Sequence, residues 1–498
     1  MRLVDSEQMR EMDRHSIEDL GVPSLALMEN ASRSFIAAIE DLLKQSRLIF
    51  VLCGSGNNGG DGYAIARQLK NRELDVVAVA LRPPKSPDCL KMANIFKQFG
   101  EIIEPDEFFR RSQSLEKEDI LIDAVLGTGG DSPLKEPLDE FIRRINEIKC
   151  QKVAVDIPSG IQASTGDLMG MGLRVKRTVT FQKHKVGLHL NPGKAFSGEV
   201  KCVNISVSER YKTKDRAYYL IDEKMALTLY PRRGEEAYKN QLGHLATYCG
   251  SKNTLGASLL ASYAGLKSGV GLVTQALPLE FQELFVSSYP ELMNYPQEEI
   301  DLKWLKGFDA LVIGCGLGRQ EEKWQKIAGF LKETSMPVLL DADVFYGLKS
   351  LEDLRPERLV LTPHPGEFKR LSGFDPPKDN GEKIKQGLAF IALYPVTLVL
   401  KGAPTLIFSA EGEVFINSTG NPAMATAGSG DVLSGIVGAF LARGLTPLNA
   451  AILGVWAHGM AGDYCRIRMG SDAVTAMSLI RQIKYPLKKL EDAKAALN

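Results

Sequence analysis

The feature that most constrains this chain is a recurring unit. A short apolar run empties into a loop of Gly, Asn, Asp or Ser, and a longer amphipathic stretch follows. Such alternation is the pattern of βαβ units, whose parallel strands lie between helices and whose loops gather at the strands' carboxyl ends. In the first half the runs are residues 48–53, 76–81, 120–125 and 153–157; in the second, 246–249, 310–313, 338–340, 359–361 and 397–400. Between residues 206 and 233 the pattern weakens and charge rises, which places a junction near residue 215. The expectation is two unrelated α/β domains in series, and 498 residues exceed what one core comfortably holds.

Charge narrows the partners. Lys+Arg and Asp+Glu both number 61, so nothing supports a basic nucleic-acid footprint or a polybasic membrane surface. No apolar run approaches the roughly 18 residues that span a bilayer, and the N-terminus lacks the apolar core of a signal peptide. Seven cysteines form no CxxC pair, and Cys53, Cys249 and Cys315 fall inside apolar runs. Buried free thiols, a cytoplasmic location and no zinc site are expected.

Three loops of the first half carry chemistry. The segment 54–62, GSGNNGGDG, follows the run 48–53 and precedes a helical stretch at 63–72. Its glycines let backbone N–H groups approach an anion, while Asn57, Asn58 and Asp61 offer hard oxygen ligands to a cation. The alternative is a glycine-rich turn with incidental polar residues. The second loop, DAVLGTGG, starts at Asp123, and the third, DIPSG, holds Asp156 and Ser159 in a turn set by Pro158 and Gly160. One strand-terminal Asp is often only a cap, but three on converging loops favour function.

With Gln8-Met-Arg-x-x-Asp13 and the segment 23–31, these motifs resemble the NAD(P)H-hydrate epimerase domain over residues 1–213. The resemblance implies a Rossmann-like fold for hydrated NADH or NADPH. It implies substrate contacts from Asn57, Asn58, Gly59, Gly60 and Asp61 and from Gly127, Thr128, Gly129, Gly130, Asp131, Ser132 and Pro133. A potassium ion among Asn58, Asp123 and Ser159 is implied as well, with Asp156 against the hydrated ring as the candidate proton-transfer residue. Two departures stand out: Ser32 where the family usually has Gly, and an unusually basic segment, QKHKVG, at 182–187.

In the second half the decisive segment is GSGD, residues 428–431, ahead of a helical stretch at 432–443. The helix start, free of side chains at Gly428 and Gly430, suits an anion hole, and Asp431 is placed to take a proton from a hydroxyl. Lys401 and Gly402 end one strand, His364 and Glu367 another. Asp341 and Asp343 read either as turn caps or as acids that orient magnesium. Together these resemble the ribokinase-like ADP- or ATP-dependent NAD(P)H-hydrate dehydratase over residues 223–498. By that resemblance Ala257, Gly318, His364 and Asp431 face the hydrate. Lys401, Gly402, Ala403, Pro404, Thr405 and Gly430 bind the nucleotide, ADP or ATP with magnesium. Cys315, Ala423 and Ala427 depart from the family pattern.

The expected whole is a bifunctional repair enzyme. R- and S-NAD(P)HX would be interconverted by the first half, and the S form dehydrated by the second through phosphorylation and loss of phosphate. A homo-oligomer is suggested by the resemblance. Two other readings compete: a small-molecule kinase of the ribokinase class with a regulatory nucleotide-binding domain, and a first domain kept only as a silent interaction platform. The second of these expects the strand-end acids to be lost, yet Asp61, Asp123 and Asp156 are present.

Overall fold

The computed structural model describes residues 1–130, 132–209, 216–286, 288–348, 351–352 and 354–496. Asp131, the expected end of the first domain at 213 and the expected junction at 215 lie outside the described residues. The chain forms two compact units, one essentially Arg2–Tyr218 and the other essentially Tyr219–Asn498.

The first unit is built on seven strands: β1 (Ile49–Cys53), β2 (Val76–Ala80), β3 (Ile102–Ile103), β4 (Ile120–Ala124), β5 (Gln151–Val155), β6 (Arg177–Phe181) and β7 (Glu199–Val203). Their order across the sheet is β3-β2-β1-β4-β5-β6-β7, with every pairing parallel. β1 and β4 are buried along their whole length, as a sheet covered on both faces requires. Strand order reverses between β1 and β4, the switch point where such sheets open a crevice. The register pairs Leu52 with Asp123 and Asp123 with Ala154, so the three motif loops leave the sheet side by side.

One expectation needs correction. The segment NNGGDG is not a loop: the helix Asn57–Lys70 starts at its first Asn. Its glycines serve packing. A Cβ on Gly54 would overlap the Val125 carbonyl, one on Gly59 would overlap Gly54, and one on Gly62 would stand 2.7 Å from Ala124 Cβ. The helix therefore lies against the sheet at backbone distance, and Asn57, Asn58 and Asp61 occupy its first turns.

The second unit contributes β8 (Tyr218–Ile221), β9 (His244–Tyr248), β10 (Leu272–Leu277), β11 (Met293–Pro296), β12 (Ala310–Ile313), β13 (Val338–Leu340), β14 (Leu359–Leu361), β15 (Thr397–Leu400), β16 (Leu406–Phe408) and β17 (Val414–Asn417). They run in the order β8-β17-β16-β15-β14-β13-β12-β9-β10-β11. From β15 through β9 to β11 the pairings are parallel, and β15-β16-β17 is antiparallel. The helix Ser429–Ala442 is buried from Val432 onward and packs on the helix Leu255–Lys267 and on β12. That fit needs small residues: a Cβ on Gly435 would overlap the Ala261 carbonyl oxygen, and one on Gly438 would overlap Val312. The helix begins at Ser429, three residues before the expected 432, so Gly430 and Asp431 belong to its first turn. Cys53, Cys249 and Cys315 are buried free thiols, and no helix among the described residues is long and apolar enough to cross a membrane.

Candidate active sites

In the first unit a cavity of about 520 Å³ opens at the switch point. Its lining includes Asn57, Asn58 and Asp61 from the helix, residues 125–130 from the loop after β4, and Asp156 after β5. Asp13, from the helix Ser6–Arg14, and Lys185 also face it. Ser132 and Pro133 do not appear among the cavity's lining residues.

Asp123 ties two of the loops together. Its carboxylate accepts from Ser159 N at 2.8 Å, Ser159 Oγ at 2.6 Å and Val125 N at 3.2 Å, while Ser159 Oγ accepts from Leu126 N at 3.0 Å. Burial pushes Asp123 up to about 6 despite those bonds, which pull the other way. No basic side chain among the described residues pairs with it. Nearby, a Cβ on Gly127 would stand 3.2 Å from Asn58 Cβ, and the buried Asn58 Nδ2 has no hydrogen-bond partner.

Asp156 sits in the left-handed region at φ +67, a conformation that costs a non-glycine residue about 1–3 kcal/mol. Its Oδ1 accepts from Thr180 Oγ1 at 3.0 Å, from Phe181 N at 3.0 Å and from the Lys185 ammonium. Asp61 has no hydrogen-bonding or ion-pair partner among the described residues. Burial, and then the neighbouring Asp156, Asp13 and Asp88, hold its carboxyl far above the usual carboxylate range. Burial likewise pushes Asp13 up to about 6, opposed by Lys185. Lys185 was invisible as a partner in the sequence, where it reads only as part of a basic run.

In the second unit the strand ends bring a polar chain of contacts together. His364 caps the helix Pro365–Ser372, its Nδ1 accepting from Gly366 N at 3.0 Å and Glu367 N at 3.3 Å. Its Nε2 stands 3.1 Å from Glu367 Oε1. Glu367 Oε2 lies 3.8 Å from Lys401 Nζ, which donates to Asp341 Oδ1 at 2.8 Å. Asp341, 1 % exposed, accepts from Ser434 Oγ through Oδ2 at 2.7 Å and from its own loop at Ala342 N. Asp341 is thus a hub with both oxygens occupied, whereas Asp343 accepts from Gly318 N at 2.9 Å and faces Arg319.

Asp431 lies beside this hub. Burial, then the Asp341 and Asp343 carboxylates, push it up to about 7, against the Cys315 thiol and Lys401. Gly428, at φ +81, starts the helix in a backbone shape that favours glycine, and a Cβ on Gly430 would stand only 3.5 Å from Lys401 Nζ. Ala257 meets the turn 314–318: a Cβ on Gly316 would stand 2.9 Å from Ala257 Cβ. Lys383 carries no motif that would mark it in the sequence. Its ammonium stands 2.9 Å from where a Gly402 Cβ would be, has no partner among the described residues, and is pushed down to about 8 by burial. The described residues contain no group of three or more His, Cys, Asp or Glu arranged to hold a metal ion.

Comparison with known proteins matches both halves. Residues 24–187 match the family of the YjeF-related protein N-terminus, and residues 246–485 match the NAD(P)H-hydrate dehydratase family. The bifunctional NAD(P)H-hydrate repair enzyme Nnr of Moorella thermoacetica is 34% identical over 99% of this chain and 98% of its own length. Its Escherichia coli counterpart is 32% identical over 96% of this chain and 92% of its own. The crystal structure of ADP/ATP-dependent NAD(P)H-hydrate dehydratase from Bacillus subtilis, co-crystallised with ATP/Mg2+, aligns with TM-score 0.50 and 27% identity. It covers 55% of this chain and 99% of that one. With relatives of that likeness matched end to end, the chain belongs to the family of bifunctional NAD(P)H-hydrate repair enzymes.

Proposed function

We propose that the first unit epimerises R- and S-NAD(P)HX and that the second dehydrates the S form with ADP or ATP. The observation that carries this reading is one chain holding two strand-end sites, one an acid-lined cavity and the other a helix start bearing a buried base. In the first site Asn57 to Asp61 and the loop 127–133, Asp131 included, contact the dinucleotide. Asp156 acts at the ring. The C6 hydroxyl leaves with its electron pair and a proton, the ring nitrogen's lone pair stabilises the cation, and water returns on the other face. The Asp156 carboxyl group gives the proton that leaves with the hydroxyl, its carboxylate stabilises the cation, and it takes a proton back from the incoming water.

Potassium fits the first site. Asn58, Asp123 and Ser159 offer oxygen ligands with one negative charge, and no basic side chain among the described residues pairs with the buried Asp123. When bound there, the ion would supply positive charge to a site that takes an anionic dinucleotide.

In the second site Asp431 takes the C6 hydroxyl proton while that oxygen bonds to the terminal phosphorus of ADP or ATP. AMP or ADP leaves. The ring nitrogen's lone pair then expels phosphate, and the departing phosphate takes a proton from C5, which closes the C5–C6 double bond of the dihydropyridine. Ala257, Gly318 and His364 shape the hydrate's place. The segment Lys401, Gly402, Ala403, Pro404, Thr405, with Gly430, holds the nucleotide, and Lys383 adds a second cation behind Gly402. Magnesium fits as a partner of the phosphates with one or two carboxylates, Asp343 being more open than the buried Asp341. A cytoplasmic setting and a homo-oligomer complete the reading; fractionation of cells and light scattering of the purified chain test them.

The deciding experiment is chromatography of mixed R- and S-NADHX incubated with the protein, with ADP and ATP in separate tubes. Full conversion to NADH supports both activities. Consumption of neither epimer with either nucleotide refutes them, and a stable phosphorylated product instead of NADH would favour the kinase reading.

A further inference from the structure

Tyr346, on the short helix Val344–Gly347 of the second unit, carries an arginine on each face of its ring. The central guanidinium carbons of Arg319 and Arg370 both stand 3.5 Å from the ring centroid, and two groups cannot share one face at that distance. The negative faces of a phenol ring attract cations, so the ring holds together two like charges that would otherwise separate. Stacking leaves the N–H donors of each planar guanidinium at its edge, where they can grip an oxyanion in pairs. Two positive charges here meet one carboxylate. Arg319 Nε lies 3.6 Å from Asp343 Oδ1, whose other oxygen accepts from Gly318 N at 2.9 Å. Arg370 has no carboxylate partner among the described residues. All three side chains of the stack are exposed, so a dissolved ligand can reach them.

The stack borders the place of the hydrate. Arg319 follows Gly318 directly, and Tyr346 N donates to the Asp343 carbonyl at 3.1 Å. Arg370 lies six residues beyond His364 on the helix Pro365–Ser372, roughly 9 Å along its axis. Gly318 and His364 are the residues read above as facing the hydrate. The lysines of this site stand elsewhere: Lys401 already donates to Asp341, and Lys383 lies behind Gly402 in the nucleotide segment. A dinucleotide brings phosphates of its own, and an arginine pair is suited to bind them. We propose that Arg319 and Arg370, stacked on Tyr346, bind phosphate oxygens of the NAD(P)HX that the second unit dehydrates. Those oxygens come from the diphosphate common to both substrates or from the ribose 2′-phosphate of NADPHX. The arginines touch the substrate, and Tyr346 is a positioning residue that acts through them. The inference rests on the reading of the second unit as the dehydratase.

The test measures kcat and KM of the full-length chain for S-NADHX and for S-NADPHX, at saturating nucleotide, by the appearance of dihydronicotinamide absorbance. Arg319→Met, Arg370→Met, the double variant, Tyr346→Ala and Tyr346→Phe are compared with wild type, each checked for folding by thermal melting. Each Met variant should raise KM for the hydrate about tenfold, with kcat within about twofold and KM for the nucleotide unchanged. A rise for both substrates assigns the clamp to the diphosphate, and a rise for S-NADPHX alone assigns it to the 2′-phosphate; both support the proposal. Added salt should raise the wild-type KM more steeply than that of the double variant, because exposed charge pairs are screened. Tyr346→Ala should raise the same KM, and Tyr346→Phe, which keeps the ring, should rescue it. A double variant with unchanged KM for both substrates, or with a loss confined to kcat, would overturn the proposal. If one arginine variant does not fold, the other is read by the same rule; failure of both assigns the stack to folding and overturns the proposal too. The two levels separate in the wild type. If it converts neither substrate with ADP or ATP, the dehydratase reading falls, whereas a converting wild type beside unchanged variants removes only the clamp.

Discussion

Asp431 gives the dehydratase half a pH dependence that can be worked from its surroundings. The base acts deprotonated, and burial with the Asp341 and Asp343 carboxylates pushes it up to about 7. Below that value the working form declines. About half is ionised at pH 7 and about a tenth at pH 6, so kcat/KM should fall about tenfold from its plateau by pH 6. Asp341→Asn removes one of the two carboxylates that raise Asp431, so the acid limb should move to lower pH. Asp431→Asn removes the base and should cost about 10²–10⁴ in rate while epimerisation persists. The same shift has a stability sign. Asp431 is raised in the fold above its unfolded value of 3.8, so the folded state holds its proton more tightly and stability is lost as pH rises from about 4 to about 7. Asp431→Asn should therefore melt higher than wild type at pH 8, by about 2–4 °C for each kcal/mol recovered. The assay is the appearance of dihydronicotinamide absorbance from S-NADHX at subsaturating nucleotide, with parallel calorimetry. A profile flat from about pH 5.5 to 8, or an Asn variant within tenfold of wild type, refutes the role given to Asp431.

Three further outcomes follow from other contacts. Gly435→Ala drives a methyl into the Ala261 carbonyl and should cost about 1–3 kcal/mol or more, read as a lowered midpoint in urea with unchanged m; an unchanged midpoint would refute the tight packing. Lys383→Met should raise KM for the nucleotide about tenfold with little change in kcat, and in wild type that KM should climb above about pH 8 as the ammonium loses its proton. Potassium should raise the melting temperature of the wild-type chain more than lithium does, and Asp123→Asn should abolish that difference; equal effects of the two ions in wild type would remove the cation site.

The sequence carried the strand ends and their acids well, because a run such as residues 310–313 or 338–340 is apolar throughout, as suits a parallel strand buried on both faces. It misplaced the starts of two helices. In the first, Gly59 and Gly62 lie inside the helix and let it press on the Gly54 carbonyl and on Ala124; in the second, Gly428 caps the helix and Gly430 lies in its first turn. Antiparallel β16 and β17 escaped notice since each is short and joined by a tight turn. The missing members of the sites, Lys185, Ser434 and Lys383, share one cause. Lys185 reaches Asp156 over 29 positions, Ser434 reaches Asp341 over 93, and Lys383 stands beside Gly402 on another element, and no local pattern encodes such meetings.

The close packing of the helix Asn57–Lys70 divides the first cavity's wall into fixed and free positions. Nothing can be added at 54, 59 or 62 without moving the sheet, but Gly56 and Gly129 both face the cavity and have no atom within 4 Å of an added Cβ. Neither has the positive φ that would strain a larger residue. These two positions are where a protein engineer can write new selectivity, for instance a lysine offered to a ribose 2′-phosphate, while leaving the scaffold that carries the chemistry unaltered.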